Sequence, residues 1–505
     1  MGGMNIAFRV DASGQIGTGH FMRCLTLADA LHKRGAKIRF ISRNLPEYLR
    51  EMLLIRGHQF AELPGALIVP PHSGLAHAHW LASDQNTDAQ GSIDALSDQS
   101  WDWLVVDHYA LDVTWESRLR SAVHKIFVID DIADRRHDCD VLLDQNFYAD
   151  MHTRYLGKVP AGCKLMLGPR FALLREEFYT FRQQLKPRRG VPRRILVFFG
   201  GVDADNHTLQ AIRALTEMEF ADLQVDVVVG ELHPYLGRVE DACVEFGFTC
   251  HVQTKSMARL LAEADLAIGA GGTAVWERCC LGIPTLTICT AANQIRQVAD
   301  AANGGLLLGL EGDGDIKDSI VRYLRVFLRN TALNQLVSRN AMLAVDGHGI
   351  SRVIGNLDCT NVEIRMATAG DSAQIFEWRN HHRIRSASRD PKLILRSTHE
   401  LWFSTLLAST EHVLLIGERN NSALGVVRFD IQKAVAEVSI YLVQESNEWG
   451  SGQDLLKSAE RWLARNRSDV HELRADVLRS NERSHRLFLG ANYEVESTTY
   501  SKRLR

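Results

Sequence analysis

The chain has 505 residues, enough for about three domains at roughly 150 residues each. Its 58 Lys and Arg against 61 Asp and Glu leave a net charge of −3 with His neutral, which excludes a globally basic partner of nucleic acid or anionic membrane. Apolar residues at 46% and charged residues at 24% exclude disorder, collagen and coiled coil as the dominant state.

No apolar run approaches the roughly 18 residues of a spanning helix. Met1-Gly2-Gly3-Met4 leads into a strand pattern with no basic-then-apolar leader, so no membrane association and a cytoplasmic location are expected. The nine Cys form no C-x-x-C pair. They read as buried thiols, with no metal site implied.

Residues 4–147 alternate short apolar runs with helical patterns. Strands are predicted at 5–11, 37–42, 59–63, 103–107, 125–131 and 141–145, and helices at 20–34, 46–57 and 113–123. The helix after the first strand puts Phe21, Cys24, Leu25, Ala28 and Leu31 on one face. The stretch 66–100 reads as an inserted loop and helix. Residues 186–194, rich in charge, Pro and Gly, read as a linker. The grammar then restarts, with strands at 195–199, 224–229, 249–252, 266–269 and 284–288, and helices at 206–218, 235–246, 256–263, 274–281 and 293–302. Two Rossmann-like domains in tandem are expected, 1–185 and 190–355, each a parallel sheet flanked by helices. From about residue 360 strands follow one another directly, at 412–418, 424–430 and 434–443. A helix at 453–466, a strand at 472–478 and a helix at 482–489 complete an α+β domain, 360–505. In the strand 434–443, Ala436, Val438, Ile440 and Leu442 share one face, and Glu437, Ser439 and Tyr441 the other.

The first strand runs into Asp11-Ala-Ser-Gly14-Gln-Ile-Gly17-Thr-Gly19-His20-Phe-Met-Arg23. Glycines there let the backbone turn tightly and approach a ligand. The helix N-terminus that follows offers free N–H groups to a phosphate. It also favours the neutral, basic imidazole of His20, a candidate general base. Other strands of this half end in Asp107-His108-Tyr109, Asp130-Asp131 and Asp144-Gln-Asn146, at the edge where open α/β sheets bind ligands. The second half carries Gly200-Gly201-Val-Asp203 and Gly269-Ala-Gly271-Gly272-Thr273-Ala-Val-Trp-Glu277. The latter reads as a phosphate cradle, with Thr273 as hydroxyl donor and Glu277 in reach of a ribose diol. Its spacing is not that of an ATP-hydrolysing P-loop.

In order along the chain, Asp11, Gly17, Gly19, His20, Arg23, His108, Tyr109, Arg175-Glu-Glu-Phe-Tyr179, Gly200, Gly201, Asp203, Asn293 and Gln294 resemble the UDP-2,4-diacetamido-2,4,6-trideoxy-β-L-altropyranose hydrolases of pseudaminic acid biosynthesis. The resemblance covers about residues 4–350. That family is related to the GT-B glycosyltransferases, so a GT-B-like fold is implied. It implies His20 as the base that activates water against the anomeric carbon, with UDP leaving and no metal. It implies that Asp11, Gly17, Gly19, Arg23, His108, Tyr109, Gly200, Gly201, Gly271, Gly272, Thr273, Glu277, Asn293 and Gln294 bind UDP and sugar. A GT-B glycosyltransferase would share the nucleotide site but pass the sugar to an acceptor.

The third domain carries Asn447-Glu-Trp-Gly450-Ser-Gly452 between strand and helix, a turn suited to pyrophosphate. Together with Trp378-Arg-Asn380, His399-x-x-Trp402 and Asn481-Glu-Arg-Ser484 it resembles the GNAT N-acetyltransferases, over about 361–505. The Trp-Arg-Asn form is similar to the enzyme that acetylates the UDP-4-amino sugar precursor of the hydrolase substrate. The resemblance implies acetyl-CoA as co-substrate, held by Tyr441, Leu442, Gly450, Gly452 and Asn481. Two positions depart from that pattern. Asn447 stands where Arg or Gln is usual, and Phe488 where many members have a proton-donating Tyr. A non-catalytic acetyltransferase-like module is the alternative.

Overall fold

Nearly continuous apolar runs set the first sheet, because strands covered by helices on both faces have no polar side to show. The structure, a computed structural model, describes residues 4–65, 74–218, 223–310, 315–357, 362–419, 422–443, 450–491 and 493–496. Two compact units divide it, Met1–Ile350 and Ser351–Arg505. In the first, β1 (Asn5–Val10), β2 (Lys37–Ser42), β3 (Gln59–Glu62), β4 (Trp101–Asp107), β5 (Val123–Ile129), β6 (Val141–Asp144) and β7 (Lys164–Leu167) form one sheet. Its order is β3-β2-β1-β4-β5-β6-β7, parallel throughout. A second sheet holds β8 (Arg194–Phe198), β9 (Gln224–Val229), β10 (Thr249–Val252), β11 (Leu266–Ala270), β12 (Thr285–Ile288) and β13 (Leu308–Gly309). These run parallel in the order β10-β9-β8-β11-β12-β13. Strand order reverses between β1 and β4, and again between β8 and β11. A crevice opens at such a reversal, outside the carboxyl ends of the strands, and ligands bind there.

The predicted elements of this unit recur with ends shifted by one or two residues, except the helix expected over 113–123, which stops at Leu119 because β5 starts at Val123. Not foreseen were β7, β13 and the helices Glu176–Arg182, Ile316–Arg329, Thr331–Ala344 and Gly349–Asn356, nor, farther along the chain, the strand Glu363–Met366 and the helices Ser372–Asn380, His382–Ser386 and Arg396–Ala408. The insertion before β4 holds a 3-10 turn, Ala78–Leu81, and a helix, Gln85–Ala95, whose N-cap Asp84 accepts from the amides of Asn86 and Thr87. The linker segment has no regular structure but is pinned. Arg188 donates its backbone amide to Ser338 Oγ and its guanidinium to the carbonyls of Ala262 and Ala264.

The second unit has one mixed sheet, β14 (Glu363–Met366), β15 (His412–Arg419), β16 (Ser422–Gln432), β17 (Val435–Leu442) and β18 (Glu472–Arg474), in chain order. The first four pair antiparallel and β18 joins β17 parallel. β18 is shorter than the expected 472–478, because it pairs only with Val435, Ala436 and Glu437 before leaving the edge. β17 alternates as its sequence requires. Ala436 and Val438 pack with Leu455, Leu456 and Ala459 of the helix Ser451–Asn466. Tyr441 turns to the other face, beside Ile375 and Phe403 of the helices Ser372–Asn380 and Arg396–Ala408. The α+β architecture expected for this region is the one observed.

Candidate active site

His20 is the second residue of the helix Gly19–His32, which leaves β1 through a turn closed by Gly17 in the left-handed region, φ 75°. Asp107 ends the neighbouring strand β4, so the strand reversal brings the two together. His20 Nδ1 lies 2.7 Å from Asp107 Oδ1. That contact assigns the ring proton to Nδ1 and leaves Nε2 as the basic nitrogen. His20 keeps 12% of its side chain exposed, whereas Asp107 is buried. Burial pushes the Asp107 carboxyl up, but Arg23 and His20 outweigh it and hold the group well below the usual carboxylate range. Arg23 donates Nε to Asp107 Oδ2 at 2.6 Å and Nη1 to Asp131 Oδ2 at 2.8 Å. Tyr109 completes the chain, its phenol bonded to Asp131 and its ring edge-on to His20 at 4.7 Å.

Asp11 and His108 belong to a separate buried network. Asp11 accepts from Ser42 Oγ at 2.6 Å and from the backbone amide of Arg43 at 2.8 Å, and pairs with Arg9. His108 Nε2 stands 3.2 Å from Asp11 Oδ2, and its Nδ1 accepts from the Ala110 amide. Both residues are buried, and this network ties the loops after β1 and β4 together.

In the second half, Gly271-Gly272-Thr273 joins β11 to the helix Ala274–Cys280. A Cβ on Gly271 would meet Val298 Cγ2 at 2.5 Å and Gln294 Oε1 at 3.1 Å, so the turn can approach the helix Gln294–Asn303 only as glycine. Gln294 accepts from the Thr290 amide at 2.9 Å and braces this wall, while Asn293 is exposed. Gly200 and Gly201 follow β8 at the same sheet edge. Asp203 is a cap, accepting from the amides of His207 and Thr208. Glu277 keeps 21% of its side chain exposed with Arg175 Nη2 at 3.6 Å, and burial raises its carboxyl against the pull of Arg175. Arg278 lies beneath the turn. It donates to the Ala270 carbonyl at 2.6 Å, and burial lowers it to about 10.

The two glycine turns face each other. The Cβ direction of Gly19 ends 3.7 Å from Thr273 Oγ1. Trp276 Nε1 donates to Asn146 Oδ1 at 2.8 Å, tying the second half to the end of β6. The arrangement sets a held imidazole on one side and a glycine turn at the start of a helix on the other. That geometry suits attack on a centre whose leaving group is a phosphate. Among the described residues no group of three or more His, Cys, Asp or Glu is placed to hold a metal.

In the second unit, Gly450 sits in the left-handed region, φ 86°, and starts the helix Ser451–Asn466. Gly452 lies within that helix, and its Cβ direction points at Leu487 Cδ1, 3.4 Å away. Asp454 in the first turn is bonded to Arg419 at 2.6 Å. Leu442 lines the face against this helix. Tyr441, on the opposite face, has its phenol pushed up by burial against the pull of Arg379 and Arg428. Asn481 caps the helix Glu482–Gly490 through the Ser484 amide. Phe488 is buried against Tyr493. Asn447 to Trp449, and Cys359, lie outside the described residues.

Sequence reasoning missed the partner of His20 and the aromatic residues beside it, Trp80 and His77. Asp107 carried a signal as a strand-end carboxylate. Trp80 carried none, since its segment has no periodicity.

No protein-family model matches the chain. The UDP-2,4-diacetamido-2,4,6-trideoxy-beta-L-altropyranose hydrolase of Campylobacter jejuni is 27% identical over 294 residues, 58% of this chain and 93% of that protein. The structure of Phytolacca americana UGT2 complexed with UDP-2fluoro-glucose and pterostilbene aligns with 70% of this chain and 95% of its own, at 10% identity and a TM-score of 0.50. That likeness shows the fold, the GT-B pairing of two parallel α/β sheets. Spermidine N-acetyltransferase from Vibrio cholerae, solved in complex with CoA and spermine, aligns with 27% of this chain and 83% of its own, at 18% identity and a TM-score of 0.25.

Proposed function

We propose that the first unit hydrolyses a UDP-linked sugar, with UDP-2,4-diacetamido-2,4,6-trideoxy-β-L-altropyranose as substrate. The observation that carries the reading is the His20–Asp107 pair set opposite the Gly271-Gly272-Thr273 turn. The Campylobacter relative, aligned over nearly its whole length, supports it. UDP lies with its diphosphate against that turn and its ribose at Glu277. His20 Nε2 takes a proton from water, the water oxygen bonds to the anomeric carbon, and the bond from that carbon to the UDP oxygen breaks. Attack opposite the leaving group inverts the centre. Asp107 holds the ring and stabilises the imidazolium that forms.

The second unit is read as an acetyl-CoA-dependent acetyltransferase acting on the 4-amino group of the precursor UDP-sugar. The left-handed Gly450 at the start of a long helix beside β17 supports this reading, since a helix N-terminus is the end that receives a pyrophosphate. Incubation of the UDP-4-amino sugar with the chain, with and without acetyl-CoA, tests both readings by product NMR. The expected products with acetyl-CoA are free diacetamido sugar, UDP and CoA. UDP release that depends on an added acceptor alcohol would instead mark a glycosyltransferase. Unreacted amine would leave the second unit non-catalytic.

A further inference from the structure

Three aromatic rings gather beside His20. Trp80, on the 3-10 turn Ala78–Leu81, stacks on Tyr109 with centroids 5.3 Å apart and planes 23° from parallel. It stands edge-on to His20 at 6.0 Å. His77 closes the group, 4.6 Å from Trp80 and 5.1 Å from Tyr109. Tyr109 is buried, with its hydroxyl bonded to Asp131, so it is the fixed base of the stack. Trp80 is half-buried, with one face on Tyr109, His77 and His79 also against its ring, and His20 6.0 Å away.

An indole held this way offers a broad apolar surface with little entropy left to lose. A fully hydroxylated hexose meets it only through a C–H face, since a hydroxyl turned onto the ring surrenders its water without a partner. Methyl groups gain from the same contact. The stack adjoins the base and is carried by the first half, whereas the nucleotide is read as held by the Gly271 turn and Glu277 of the second.

We propose that Trp80, backed by Tyr109, is the sugar-selecting wall of the site. It packs against the methyl groups of a deoxygenated, N-acylated sugar and disfavours a hydroxylated hexose. The inference rests on the reading of His20 as the base of a UDP-sugar hydrolase.

Calorimetry on the full chain carrying His20→Ala, which keeps the sugar nucleotide intact, tests it with three ligands: UDP, the UDP-diacetamido-trideoxy sugar, and UDP-glucose. Adding Trp80→Ala is expected to weaken the trideoxy ligand at least ten-fold while UDP and UDP-glucose stay within two-fold. Trp80→Phe is expected to recover most of the loss. Trideoxy binding within two-fold of the parent would overturn the proposal. Equal weakening of all three ligands would overturn it too, because it marks a structural role. Failure of the hydrolase reading appears elsewhere, as absence of UDP release by the wild-type chain, and leaves these affinity ratios readable.

Discussion

His20 serves as a base only while its ring is held, and the 2.7 Å contact to Asp107 does the holding. His20→Ala is expected to lower the hydrolysis rate by roughly 10²–10⁴-fold. Asp107→Asn keeps the shape but can present the wrong hydrogen-bonding group to Nδ1, and a fall of about the same size in kcat is expected with KM little changed. Steady-state kinetics of both variants, with UDP affinity as the control for folding, check this pair. A second buried histidine bears on stability. His137 stands 2.7 Å from Glu116 and 3.7 Å from Asp130, and Asp130 also pairs with Arg135. Burial alone would lower its imidazole, but the two carboxylates outweigh burial and raise it to about 9. Its contribution is therefore complete below about pH 6.5, the unfolded value, and drains away as pH climbs through about 9. Asp144, raised to about 8 mainly by burial, loses stability with rising pH in the same sense. The His137 share is isolated by comparing wild type with His137→Gln. The gap in melting temperature should be widest near pH 6 and should narrow toward pH 10, and a gap independent of pH would refute the charged pair. At this scale the sequence was half legible. His20 stood out through its glycine turn. The buried pairing of Asp11 with His108 was not legible, because a strand-end carboxylate looks the same in sequence whether it braces a loop or lines a site.

Among elements, the turn before the helix Ser451–Asn466 separates two glycines that look alike in sequence. Gly450 has φ 86°, where any L side chain is strained, whereas Gly452 is helical with its nearest neighbour at 3.4 Å. Gly450→Val is expected to cost about 1–2 kcal/mol of local strain and to abolish acetyl-CoA binding, while hydrolysis of the acetylated substrate continues. Gly452→Ala should fold as wild type, because Leu487 is within ordinary contact. Calorimetry with acetyl-CoA and a thermal melt distinguish the two, and equal behaviour would show that the turn does not cradle the cofactor. Apolar strands such as β4 and β9 were plain in the sequence, since their patterns run over several residues, whereas the 14-residue helices Ile316–Arg329 and Thr331–Ala344 were missed. The two-residue β13 was not foreseen, and β18 was expected to be longer than its three residues, because edge strands that short are set by the neighbour they meet.

For the whole molecule, the change from strand–helix alternation to a strand meander announced two architectures in one chain, and the units Met1–Ile350 and Ser351–Arg505 carry them. What the sequence could not disclose was which strand ends share an edge. The orders β3-β2-β1-β4 and β10-β9-β8-β11 do that, setting His20 beside Asp107 and Gly200 beside Gly271. The central claim is that water, activated by His20, attacks the anomeric carbon. Hydrolysis of the UDP-diacetamido-trideoxy sugar in ¹⁸O-water, with no acceptor added and followed by ¹³C NMR, tests it directly. The account predicts label on the anomeric hydroxyl of the free sugar, inverted configuration in the first product formed, and unlabelled UDP. Label in the UDP phosphate, or no UDP release until an acceptor alcohol is supplied, would contradict it.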